Sequence, residues 1–171
     1  AQLSRGLGDV YKRQEAECVI AGPNGIREIP VEKMCVGPGR NAMDEGEFLV
    51  SLKLPLKNSS FSASYERFIP RNEMDIAVAA VASSVSLENG KISSCRIALA
   101  AVGPTPIFAE EASELLIGKE PSEENIKNAS NKAKELASPI SDMRGTVEHR
   151  KDLIEVLTRR TLSKAVERVG V

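Results

Sequence analysis

Arg96-Ile-Ala-Leu-Ala-Ala-Val-Gly-Pro-Thr-Pro106 reads as a strand that stops on a Gly-Pro-x-Pro turn, and Phe108-Ala-Glu-Glu-Ala-Ser-Glu-Leu-Leu-Ile-Gly118 follows it with the period of a helix. Gly103 ends the strand, Pro104 and Pro106 lack the N–H that further ladder pairing needs, and the turn launches the helix back onto the sheet. The strand is one arm of a hairpin. Residues 76–87 and 91–102 are apolar-rich runs on either side of Glu88-Asn89-Gly90, and Asn-Gly between such runs favours a tight turn because both residues accept positive φ. On the second arm Ile97, Leu99 and Ala101 share one face at period two.

Working outward, Phe61-Ser-Ala-Ser-Tyr-Glu-Arg-Phe-Ile69 reads as a further strand, followed by the polar loop Pro70-Arg-Asn-Glu-Met74. Downstream, Phe108, Ala112, Leu115 and Leu116 fall on one helical face that Gly118 stops. Ser122 caps a second helix carrying Ile126, Ala129, Ala133 and Leu136. Thr146 caps a long final helix whose Leu153, Ile154, Leu157, Leu162, Ala165 and Val169 form a stripe that ends before Gly170. Strands followed by segregated helices give an α+β domain: a small antiparallel sheet with a long hairpin, packed against a layer of about three C-terminal helices.

Upstream, residues 16–21 read as a strand, Gly22-Pro-Asn-Gly25 as a turn, 26–29 as its return and 30–34 as a single helical turn. Gly37-Pro38-Gly39 breaks regular structure, and Glu47-Phe-Leu-Val-Ser-Leu-Lys-Leu54 is a half-buried strand stopped by Pro55. The polar stretch 56–60 marks a boundary, which divides the chain into residues 15–57 and 58–171. Residues 1–14 start on Ala1, show neither periodicity nor turn logic, and resemble a linker-derived peptide seen at broken ends of shotgun-sequenced reading frames. They are set aside from the fold as a sequencing or linker artefact.

Of the 171 residues 42% are hydrophobic but only 4% aromatic, with no Trp, so the core is built from Val, Ile, Leu and Ala and offers no base-stacking platform. A net charge of −1 supplies no field for nucleic acid or an anionic membrane. No apolar run approaches the roughly 20 residues of a membrane span, and no signal-peptide h-region is visible, so the expected compartment is the cytoplasm. Cys18, Cys35 and Cys95 match neither a Cys-x2-Cys pair nor an iron–sulfur run and read as reduced thiols. His149 has no nucleophile or metal partner in a recognisable motif and reads as a surface or helix-start residue. The pairs Asp44/Glu45 and Glu110/Glu111 read as surface or helix-end carboxylates. Arg150, Lys151, Arg159, Arg160, Lys164 and Arg168 interleave with Glu148, Asp152, Glu155 and Glu167, the pattern of a solvated, salt-bridged helix face. Gly37-Pro-Gly-Arg-Asn41 lacks the Lys-Ser/Thr and helix of a P-loop. No catalytic residue and no metal ligand set emerges.

Five pieces in order carry a resemblance: Gly46-Glu-Phe-Leu-Val-Ser-Leu-Lys-Leu-Pro55; Tyr65-Glu-Arg-Phe-Ile-Pro-Arg71 with Asp75-Ile-Ala77; the strand, turn and helix of 96–118; Pro139-Ile-Ser-Asp-Met-Arg-Gly145; and Glu148-His-Arg150 with Leu153, Leu157, Arg160 and Ala165. Together they resemble the C-terminal half of the FAD-binding (medium) subunit of molybdenum hydroxylases, of the xanthine dehydrogenase and aerobic carbon monoxide dehydrogenase type. The resemblance implies that residues 15–57 are the truncated C-terminal end of an FAD-binding subdomain and that residues 58–171 are the C-terminal α+β domain of the flavoprotein subunit. It implies an FAD-dependent oxidoreductase subunit that accepts electrons from 2Fe-2S clusters onto FAD and passes them to NAD, oxygen or a quinone. The partners it implies are an iron–sulfur subunit and a molybdopterin-binding large subunit, which carry the clusters and the molybdenum cofactor.

The resemblance also places backbone around Leu49 beside FAD and puts Arg67 where the family usually has a cofactor-contacting Lys; the loop with Arg71 and Asp75 would lie near the isoalloxazine ring. The family's glycine-rich pyrophosphate loops belong to its N-terminal half, and this chain has no Gly-Gly, so the fragment alone is not expected to be active or to hold FAD tightly. His149 stands where the family tends to have Tyr. The alternative reading is a non-enzymatic interaction or assembly domain without a ligand of its own.

Overall fold

The computed structural model describes residues 8–71 and 75–169, so residues 1–7, Asn72, Glu73, Met74 and Gly170, named above, lie outside the described residues. Helix α1 (Gly8–Arg13) leads into strands β1 (Glu17–Gly22) and β2 (Gly25–Pro30), the single turn α2 (Val31–Met34), the short β3 (Cys35–Gly37) and β4 (Arg40–Asn41), and β5 (Phe48–Lys53). Strands β6 (Phe61–Phe68), β7 (Ala79–Glu88), β8 (Lys91–Ala100) and β9 (Ile107–Phe108) precede helices α3 (Glu110–Glu114), α4 (Glu123–Leu136) and α5 (Val147–Glu167).

Strands β1, β2 and β5 build a three-stranded sheet in the order β2-β1-β5, with Ala16, Cys18, Ile20, Val31 and Met34 as its buried core. An arginine closes this unit. Arg27 donates through Nε and Nη2 to the two carboxylate oxygens of Glu47 at 2.8 and 2.7 Å, and Glu47 also accepts the Asp44 N–H at 2.7 Å. These bonds, the arginine first, hold the Glu47 carboxyl down at about 2.

The second unit is an antiparallel sheet in the order β6-β7-β8-β9. Its centre is the expected hairpin, turning at Asn89 and Gly90 with φ of 53° and 75°, the left-handed conformations that an Asn-Gly turn needs. One face packs on α5, where the Ser83 and Thr161 hydroxyls meet at 2.8 Å. Helices α4 and α5 bury Ile126, Ala129, Ala133, Ile154, Leu157, Leu162 and Ala165 against Val81, Val85, Ile97 and Leu99. Each of the Val, Ile and Leu side chains among these contributes about 1.5–3 kcal/mol on burial. Both expected caps form: Ser122 Oγ accepts from Asn125 N–H, and Thr146 Oγ1 accepts from His149 N–H.

Three expectations are corrected. Phe108 does not start a helix; Ile107 and Phe108 return beside Leu99 and Ala98 as β9. The cause lies at Ala101, whose φ of +64° ends the strand pattern and turns the chain back before the prolines act, so Ala101 is exposed instead of sharing a face with Ile97 and Leu99. The following helix is accordingly short, burying Ala112 and leaving Leu115 exposed. Gly37-Pro38-Gly39 does not simply break structure but joins the small β3–β4 hairpin. The basic set on the last helix is not uniformly solvated, since Arg150 is buried at 5% exposure. Gly8–Arg13 forms α1, where Tyr11 packs on the first core and the Lys12 and Arg13 carbonyls accept from Arg96 Nε and Ser84 Oγ, each at 3.0 Å.

Candidate functional site

Strand register assigns faces to the residues that matter. Arg67 pairs with Ala80, which pairs with Ala100, and Tyr65 stands in the next row with Ala82, Ala98 and Phe108. Residues directly opposite one another share a face, so Arg67 lies on the side of the sheet that α1 covers, away from α5. Its neighbours Ala80 and Ala82 are fully buried, whereas Arg67 is exposed near the end of β6. That arrangement presents a guanidinium to solvent at the rim of a rigid sheet.

Past the end of β6, Val78 N–H donates to Phe68 O at 2.9 Å and closes the connection to β7. Within this connection Asp75 is turned inward. Its carboxylate, 6% exposed, accepts from the backbone N–H groups of Arg71 and Ile76 at 3.1 and 2.9 Å and from the Arg71 side chain at 3.4 Å. The Arg71 side chain, and then these amides, hold the Asp75 carboxyl below its ordinary value. Asp75 therefore organises the loop, and Arg71, at 76% exposure, is the member of the pair that faces outward.

Leu49 lies in the other unit, paired with Ile20 on β5, and its half-buried side chain packs into the first core. Strand β5 is the edge of its sheet, with one side of its backbone unpaired by the strands of that sheet. The structure thus groups Arg67, Arg71 and Asp75 at one end of β6 and keeps Leu49 in a separate sheet. The two units are joined by Arg96, which donates to Lys12 O, pairs with Glu32 of α2, and stacks 4.1 Å from the centre of the Phe108 ring.

Sequence reading left one organising residue without a role. Arg150 reaches under the sheet end, with Nη1 donating to Val78 O at 2.8 Å and Ala101 O at 3.2 Å, and Nη2 donating to Asp142 Oδ1 at 2.7 Å. Two of its partners lie 72 and 49 residues away in the chain and the third 8, so its contacts are not written in the sequence around it. Among the described residues no group of three or more His, Cys, Asp or Glu is placed to hold a metal ion, and no helix is long and apolar enough to cross a membrane.

Known proteins share this architecture. The sequence model for the CO dehydrogenase flavoprotein C-terminal domain matches residues 64–165. The chain is 30% identical over 166 residues to the carbon monoxide dehydrogenase medium chain of Afipia carboxidovorans, covering 97% of this chain and 55% of that protein. It is 27% identical over 157 residues to the xanthine dehydrogenase FAD-binding subunit of Escherichia coli O157:H7, covering 91% and 54%. A solved carbon monoxide dehydrogenase from Hydrogenophaga pseudoflava superposes with a TM-score of 0.92 at 28% identity, over 95% of this chain and 56% of that one. The chain spans about half the length of these relatives. With more than half of its residues matched by that model and its fold shared with the solved enzyme, the chain belongs to the CO dehydrogenase flavoprotein C-terminal domain family.

Proposed function

We propose that this chain is part of the FAD-carrying electron-transfer subunit of a cytoplasmic molybdenum hydroxylase. In this reading the subunit takes electrons from the 2Fe-2S clusters of an iron–sulfur partner and passes them to NAD, oxygen or a quinone, while a large molybdopterin-binding partner oxidises the substrate. The observation that carries the proposal is the likeness to a carbon monoxide dehydrogenase chain over 95% of this sequence, joined to relatives named as medium chains and FAD-binding subunits.

The residues present fit a flavin nucleotide in part. Arg67 and Arg71 are exposed cations on an ordered strand end and its loop, suited to an anionic or electron-rich group. Leu49 offers edge-strand backbone, and Asp75 holds Arg71 in place instead of meeting the ligand. When bound, FAD supplies the redox chemistry, and the protein binds, orients and shields it.

The test is anaerobic mixing of the full-length flavin-loaded protein with its reduced iron–sulfur partner. Loss of the yellow flavin absorbance is expected, and persistent yellow colour contradicts the proposal. For the site itself, Arg67→Ala is expected to weaken flavin retention about tenfold, the scale of one charge-assisted hydrogen bond, and Arg67→Lys to retain most of it. Unchanged retention in Arg67→Ala removes that residue from the site.

A further inference from the structure

We propose that the first turn of α5, through Arg150 with its partner Asp142, is the positioning element for Arg67, acting through Val78 and Phe68. The inference rests on the flavin-binding reading above and adds to it a pair of residues that do not touch the ligand.

The geometry forms one continuous line. Asp142 Oδ1 accepts from Arg150 Nη2 at 2.7 Å, and Arg150 Nη1 donates to Val78 O at 2.8 Å. The N–H of the same Val78 donates to Phe68 O at 2.9 Å, and Phe68 follows Arg67 in β6. The preceding residue of α5 reinforces the contact, since the His149 ring meets Phe68 edge-on with centroids 6.0 Å apart. Gly145 makes room for this: a Cβ there would lie 3.2 Å from His149 Cδ2.

Arg150 is over-committed for a mere surface ion pair. It is 5% exposed, its Nη1 also donates to the carbonyl of Ala101 at 3.2 Å, and its Nε is buried without a partner. A guanidinium held in that way tolerates an unsatisfied N–H because its planar fork fixes three backbone and side-chain acceptors at once. The turn before α5, in which Asp142 and Gly145 bond each other's backbone, presents the carboxylate to it. Strand end, Ala101 turn and α5 therefore shift as one body, and the direction in which Arg67 leaves β6 is set from the helix.

Asp142→Asn is the decisive variant, because it keeps the side-chain shape and removes only the carboxylate charge that steadies Arg150, so that its two carbonyl bonds are loosened but not lost. In the full-length protein, amide hydrogen exchange at Val78 and the flavin's affinity and visible circular dichroism are measured beside exchange in the middle of α5. The expected result is exchange at Val78 about tenfold faster, flavin binding several-fold weaker with an altered dichroism band, and α5 amides unchanged. Arg150→Lys, which keeps charge but loses the fork, is expected to show the same effects more strongly. Wild-type exchange at Val78, or a changed exchange with unchanged flavin affinity and dichroism, overturns the inference alone. A wild-type protein that takes up no flavin overturns the underlying functional reading and this inference with it.

Discussion

Arg150 Nη2 and Asp142 Oδ1 stand 2.7 Å apart, joining the first turn of α5 to the turn that precedes it, with the arginine buried and the aspartate about a third exposed. The two ends of this bond are unequal. Arg150→Ala strands the carbonyls of Val78 and Ala101 as well as the carboxylate, so it is expected to cost about 3 kcal/mol in urea unfolding, the scale of a broken buried pair. Asp142→Asn is expected to cost clearly less, since water reaches Asp142 and the two carbonyl bonds survive. Equal losses in both variants would contradict this division.

Acid should weaken the fold through three carboxylates. The Arg150 side chain first and the Arg144 N–H second hold Asp142 below its ordinary value; Asp75 is lowered by Arg71, and Glu47 sits at about 2 beside Arg27. A carboxyl whose folded value is depressed adds stability that is present above its unfolded value and is lost as pH falls through the folded one. Urea midpoints are thus expected to be level between about pH 7 and 5 and to fall progressively from about pH 4 towards 2. Glu47→Gln should flatten the lowest part of that limb. A midpoint that rises on acidification would contradict the assignment.

Thiol reactivity should separate the cysteines. Cys95 lies in the main core, where burial pushes its thiol up to about 12, and Cys18 is buried in the first core with its thiol also raised by burial. Cys35, at the start of β3, is only half-buried. A disulfide reagent at neutral pH is expected to label Cys35 first and Cys95 only on unfolding, because the thiolate is the reacting species. Early labelling of Cys95, read by peptide mass mapping, would contradict the packing.

Arg96 is the bolt between the two units. Its bonds to Lys12 O and Glu32 and its stacking on Phe108 are all lost in Arg96→Ala, with an expected cost of about 1–3 kcal/mol. Calorimetry should then show the single unfolding transition broaden or split, as the sheet of residues 17–53 melts ahead of the main core. An unaltered single transition would show that other contacts couple the units.

What was legible in the sequence is what local chemistry decides. Asn89-Gly90 announces its hairpin, and Ser122 and Thr146 announce their helix starts, because each turn or cap is satisfied within a few residues. The return of Ile107 and Phe108 as β9 was hidden, since it depends on the left-handed φ of Ala101, which composition does not signal. The burial of Arg150 is hidden for a related reason: its charge neighbours along α5 suggest solvent, and its actual partners are 72, 49 and 8 residues away in the chain. Of the candidate site, the positions of Arg67 and Leu49 on strands were legible, while the inward turn of Asp75 required the loop's backbone donors.

The most direct test of the functional account is the flavin content of the full-length protein, purified and then incubated with FAD. Yellow protein with close to one FAD per chain is expected. Colourless protein that gains no flavin on incubation would contradict it.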